Sequence, residues 1–274
     1  FSDLRRVFPP TTGRHVVGPM VQLRWGSPTL LTLDLALLIE LPAPIRVVVL
    51  GRLQVLLPDQ SHPLVQIRMD ALGVLDVSAE TVSLDATLYD SRILQFTLTG
   101  DMALRAGWGR QPQFVLAIGG FHPRFAAPPG LPALKRLALQ LADGDSLQLR
   151  CQAYVAVTSN TVQFGARVDL HAAGGGFSFD GMLGFDAIIQ LAPLAFEVDV
   201  GAALALRYHG RLLMGISFKG RLAGPTPWHV EGKASIKFLF FSVAAASART
   251  FGSKSAPPLP AAVDVVGLIA AALA

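Results

Sequence analysis

Cysteine occurs once in 274 residues, tryptophan and tyrosine three times each, and lysine at five positions. One cysteine excludes a disulfide framework within the chain. Cys151 sits among Leu147, Leu149, Ala153 and Val155 on an apolar row, the setting of a buried thiol rather than a nucleophile or ligand. No apolar run reaches the roughly 18 uninterrupted residues of a membrane-crossing helix, and the tail 261–274 comes nearest. Charged residues make up only 15% of the chain and hydrophobic residues 51%, against a usual charged share of about 25%, so disorder is excluded. The net charge of +4 comes from basic residues spread singly along the chain. A nucleic-acid partner needs a clustered patch and is not expected.

Catalytic spacing is missing too. The sequence contains no P-loop, His-Glu-x-x-His, Gly-x-Ser-x-Gly or Cys-x-x-Cys pattern. Its histidines (His15, His62, His122, His171, His209, His229) are too scattered to ask for a metal. Asp143-Gly144-Asp145 lacks the further ligands of a calcium loop and reads as a hairpin turn. Gly174-Gly175-Gly176 precedes a strand rather than a helix and reads as a flexible turn. No catalytic residue, metal or cofactor is therefore expected, and the chain is read as a non-enzyme.

What the chain has in abundance is alternation. From about Val21 to about Phe240, apolar and polar side chains exchange at a period of two. An example is the run Leu194, Phe196, Val198, Val200, Ala202, Leu204, Leu206, with Glu197, Asp199 and Arg207 between its members. Successive strand side chains point to opposite faces, so this period means a sheet with one apolar and one wetter face. The fold class expected is all-β, an extended antiparallel meander of roughly 14 long strands, many near 12 residues where strands usually run about 5–6. The meander is curled into a groove, a wide barrel or a flattened sandwich, with a short C-terminal helix.

Residues 1–20 read as an irregular lead-in and 21–250 as the β domain. The Gly- and Pro-rich stretch 119–134 is a candidate lobe boundary or one long connection, and 251–274 reads as a linker and a short docking helix. The chain opens at Phe1 rather than Met, which suggests a fragment or a processed form.

Fourteen such strands would make a sheet roughly 65 by 40 Å, with an apolar face on the order of 2,500 Å². Soluble monomers rarely expose patches above about 600 Å². The cover is a second layer of the same sheet, a hydrophobic ligand in a curled interior, a membrane, or another stretch of protein. Sparse Trp and Tyr argue against the aromatic girdles of a membrane barrel.

Two loops combine aromatic, imidazole and polar groups: Gly119-Gly120-Phe121-His122-Pro123-Arg124-Phe125 and Gly224-Pro225-Thr226-Pro227-Trp228-His229. Phe121, His122, Arg124, Trp228 and His229 are candidate partner or head-group contacts. Their plainer role is to shape turns and plug sheet ends. These two segments, with Tyr154 to Arg167 (YVAVTSNTVQFGAR), Gly18-Pro19-Met20 and Asp90-Ser91-Arg92, resemble a family of very large uncharacterised bacterial proteins, domain of unknown function 6603. The resemblance covers most of the chain. It implies a bacterial source and a β-rich segment of a longer polypeptide, and it carries no catalytic residues.

The function expected is a non-enzymatic sheet whose apolar concave surface binds or shields a lipid-like ligand. Its expected lining is Phe164, Phe177, Phe179, Phe185, Phe196, Val198, Phe218 and Phe238. The alternative is a structural or assembly module of a larger complex, with the same face as packed core or subunit interface to protein partners. Compartment is not legible.

Overall fold

The structure is a computed structural model that describes residues 11–42, 45–109, 112–225 and 227–252. Every regular element among them is a strand, and all ladders are antiparallel. The first half contributes β1 (His15–Val17), β2 (Met20–Trp25), β3 (Leu31–Leu41), β4 (Arg46–Leu57), β5 (Val65–Asp76), β6 (Thr81–Leu88), β7 (Ser91–Ile93), β8 (Phe96–Thr99), β9 (Asp101–Gly107) and β10 (Gln113–Ile118). The second half contributes β11 (Leu137–Asp143), β12 (Leu147–Thr158), β13 (Thr161–Gly174), β14 (Phe177–Gln190), β15 (Ala195–Tyr208), β16 (Arg211–Gly224), β17 (Trp228–Phe238) and β18 (Phe241–Phe251). The predicted C-terminal helix lies outside the described residues.

From β2 to β5 and from β12 to β18, each strand pairs with the next as a meander. The long strands reach 14 residues, and tight turns such as His209-Gly210 and Gly175-Gly176 join them, these four residues all at positive φ. Between β5 and β12 the sheet divides. One branch runs β6–β9–β10 and joins β12 through Val155–Thr158. The other runs β7–β8–β11 and joins β12 through Gln148–Ala153.

Asp101 stitches the branches together. Its backbone N–H donates to Lys135 O (3.2 Å), its Oδ2 accepts from Lys135 N–H (2.8 Å), and its carbonyl accepts from Gly119 N–H (2.8 Å). Gly100 permits the approach, because a Cβ there would stand 3.0 Å from Leu137 Cα.

The alternation survives the division. Cross-strand partners share a face, and the registers carry one polar and one apolar face continuously from β2 to β18. The row Ala103–Ala117–Ala156–Gln163–Ile188–Glu197 crosses six strands on the polar face. Its first four members are all fully buried. Most of the buried residues lie on the polar face, with Val48, Val115 and Tyr154 beside the alanines, while Ala86 and Ala187 are buried on the apolar one.

Among the described residues the apolar face has no second layer. Phe218, Ile236, Leu183 and Val243 keep 45%, 49%, 59% and 60% of their surface exposed. A packed sandwich would bury such residues, so the fold is one curled sheet. No ladder closes β18 onto β2 among the described residues, and β18 is exposed along its whole length.

Three local readings needed correction. The strand expected over 93–105 is broken into β7, β8 and β9, because Leu94 turns at φ 57° and the chain changes branch at Gly100. β18 was missed, because Ala244, Ala246 and Ala248 on its polar side leave little contrast with Val243 and Ala245 opposite. β1 is too short to show a period. The 119–134 stretch connects strands of the same sheet: β10, before it, pairs with β12, after it.

Candidate functional site

Both principal cavities open among residues of the polar rows. The larger, about 950 Å³, spans β2 to β6, with Gln22, Asp34, Arg52, Asp70 and Asp85 in its wall. The smaller, about 540 Å³, spans β12 to β16 beside the 119–136 connection. A five-strand wall around one cavity requires a sheet bowed toward that side, so the polar face is the concave one.

This corrects the expected apolar groove. Phe164, Phe177, Phe179, Phe185, Phe196, Val198, Phe218 and Phe238 do share one face, as their spacing requires, but it is the outer one. Of these eight only Phe185 borders either cavity. The period of two decides which residues share a face; it does not decide which way the sheet bends.

The 119–136 connection is clamped into the concave face. Arg136 stacks on the Tyr154 ring, 3.9 Å from guanidinium carbon to centroid. It also donates to Gly119 O (3.1 Å) and Phe121 O (2.8 Å). The Tyr154 ring lies across Gly165, where a Cβ would fall 2.4 Å from Cε1, so glycine makes room for it. Tyr154 donates through its hydroxyl to Asp186 Oδ1 (2.9 Å). Burial, then the Asp186 hydrogen bond, raises the tyrosine pKa, and burial lowers that of Arg136.

His122 is buried at the same place. Its backbone N–H donates to Gln163 Oε1 (2.9 Å), while Gln163 Nε2 donates to Thr161 Oγ1 (2.8 Å). His122 Nδ1 accepts from Arg124 N–H (3.2 Å), which makes Nε2 the protonated nitrogen of the neutral ring. Nε2 has no partner. Burial holds the imidazole below its ordinary pKa. Arg124 continues the clamp onto β15, pairing with Glu197 and Asp199, and Arg221 donates to Glu197 Oε2 (2.7 Å).

Of the loop candidates, Phe121, His122 and Arg124 are therefore part of an internal clamp. Trp228 and His229 are not brought to them. Trp228 begins β17 on the apolar face, in edge contact with Phe196 (5.0 Å between centroids). His229 faces the polar side, 3.0 Å from Thr250 Oγ1. Arg136, Tyr154, Gly165 and Gln163 were not singled out from the sequence. The Gln163 amide inside a strand was the one available signal, since a buried amide must find partners.

A second polar cluster stands at the other end of β13–β15. Asp180 accepts from Arg207 and lies 2.6 Å from His171 Nδ1, and these contacts, the histidine first, lower its carboxyl pKa. Cys151 faces the apolar side opposite Val168, half-buried. Among the described residues no three His, Cys, Asp or Glu side chains are grouped to hold a metal ion.

This defines the class: an all-β protein of one curled antiparallel sheet, open among the described residues, with a clamped polar interior and an apolar exterior. The chain belongs to the Family of unknown function (DUF6603), whose model matches residues 1–272. No curated protein and no solved structure matches it.

Proposed function

We propose that this chain is a non-enzymatic sheet protein that binds or shields hydrophobic material on its apolar face. The observation supporting this reading is the continuity of that face. From β12 to β18 its charged side chains among the described residues are Arg211, opposite Tyr208, and Arg249, opposite Val230, both near strand ends; the rows between them carry none, and its large members stay part-exposed. Exposed apolar patches of this extent mark interaction sites. The polar face has its own contents, since the clamp and the ion pairs of β12–β17 occupy it.

Nile red titration of the purified chain, with organic extraction and mass spectrometry of what co-purifies, tests the proposal. Saturable dye binding or extracted lipid is the expected result. A dye-silent chain that yields no lipid would overturn it.

The second reading, an assembly module, rests on a different feature. Among the described residues β18 has β17 as its one ladder partner and leaves an eleven-residue edge exposed. Free edges recruit strands. Light scattering that finds a discrete oligomer with dye binding abolished would favour this alternative.

A further inference from the structure

We infer that the hydrophobic material is a lipid layer, on which the sheet lies with its convex apolar face inserted. This rests on the reading above and specifies its ligand. The first observation is the order of residues across β13–β18. A row runs Leu170–Gly181–Leu204–Ile216–Ile236–Val243, and apart from Gly181 its side chains are all aliphatic. Toward one strand end, Phe196 and Gly224 are partners, as are Trp228 and Phe251. Toward the other, the row runs Phe179–Leu206–Met214–Phe238–Phe241, with the Phe177–Tyr208 pair beyond it.

Phe164, Phe185 and Phe218 lie between, where a ring without a polar atom suits hydrocarbon. On the apolar face of β13–β18 the two described aromatic residues with polar handles are Trp228 and Tyr208, at opposite ends of the strands. Amphipathic rings gather where hydrocarbon meets headgroups. Gly224 serves this arrangement, because the Phe196 ring reaches Trp228 across it and a Cβ there would fall 2.7 Å from Phe196 Cζ.

The second observation is shape. Fourteen strand positions at about 4.8 Å, with ends about 35 Å apart, give a face on the order of 2,000 Å². That exceeds the ~800 Å² one partner gives a standard interface. Because the sheet bows toward its polar side, two copies would meet along a line and leave most of the face wet. Fluid acyl chains conform to a convex surface.

The third observation is the open edge. In hydrocarbon the backbone groups of β18 that have no partner among the described residues would be unsatisfied, which argues against a lone open sheet spanning a bilayer. Lying in the interface leaves the edge within reach of water and headgroups.

The test is flotation of the whole chain with phosphatidylcholine–phosphatidylglycerol vesicles, comparing Ile216→Lys with Ser217→Lys. These neighbours face opposite sides, Ile216 paired with Leu204 and Ser217 with Ala203. A lysine on the lipid face should lower the floated fraction about tenfold, and its neighbour less than about twofold. Should Ile216→Lys fail to fold, depth measurements on a chain bearing Trp25→Phe and Trp108→Phe decide. Lipids brominated near the headgroup should quench Trp228 more than lipids brominated near the chain ends. A fluorophore on Cys151, opposite Val168 away from the strand ends, should show the reverse order. Dye binding without flotation overturns the lipid layer and leaves the proposed function standing. Loss of both overturns both. Equal loss in the two lysine variants, or Trp228 deeper than Cys151, also overturns the lipid layer.

Discussion

Gly165 shows how much one residue decides here. The Tyr154 ring occupies the space of its missing side chain, and Arg136 stacks on that ring. Gly165→Ala must push the ring out and is expected to cost about 1–3 kcal/mol, the usual range for overpacking. Gly174 is the control, because its Cβ would meet nothing within 4 Å. Urea denaturation of both variants makes the comparison.

His122 gives the pH dependence its sign. Burial favours its neutral form, so the folded chain binds fewer protons than the unfolded chain between the depressed pKa and the ordinary 6.5. Its stabilising contribution is complete above pH 6.5, and stability falls as the pH drops below that. Urea midpoints between pH 5 and 8 should show this slope, and His122→Asn should flatten it. The sequence marks out His122 through its Gly- and Pro-rich context but not its burial, because the partner, Gln163, is 41 residues away.

At the scale of elements, the 119–136 connection and β18 are opposites. The connection lacks regular structure but is held by Arg136, Arg124 and the His122–Gln163 bond. Arg136→Met removes the ring stacking and two charge-assisted hydrogen bonds, an expected loss of about 1–3 kcal/mol. Limited proteolysis should then cut within 119–136 before it cuts elsewhere. β18 is regular but exposed on one side of its ladder. Its outward amides should exchange hydrogen much faster than those of β14 and β15, which are paired on both sides.

The long strands were legible because each carries five or more alternations, enough to hold a period. β7, β8 and β9 were not legible as separate elements. Their break depends on a branch point that pairs residues more than thirty positions apart, as Asp101 with Lys135.

At the scale of the molecule, curling toward the polar side leaves the apolar rows outside. An ordinary soluble fold hides its apolar surface within itself. This one buries Ala103, Ala117 and Ala156 on its wetter side and leaves Phe218 and Val243 half open. The isolated chain should therefore bind Nile red strongly and self-associate as its concentration rises. Sedimentation velocity with and without mild detergent is the measurement, and detergent should abolish the association.

The sequence by itself determined the membership of the faces. Side chains two apart on a strand must share a side, so the eight predicted apolar residues fell together before any fold was known. It also determined the antiparallel meander, because the connections are too short for crossovers. The direction of curl, the division of the sheet between β5 and β12, and the docking of the 119–136 connection were decided by tertiary structure. Bending depends on how small residues such as Ala103 and Ala117 pack in a row across strands, and on clamps such as Arg136 over Tyr154. Those contacts join residues distant in the chain, and a period of two carries no information about them.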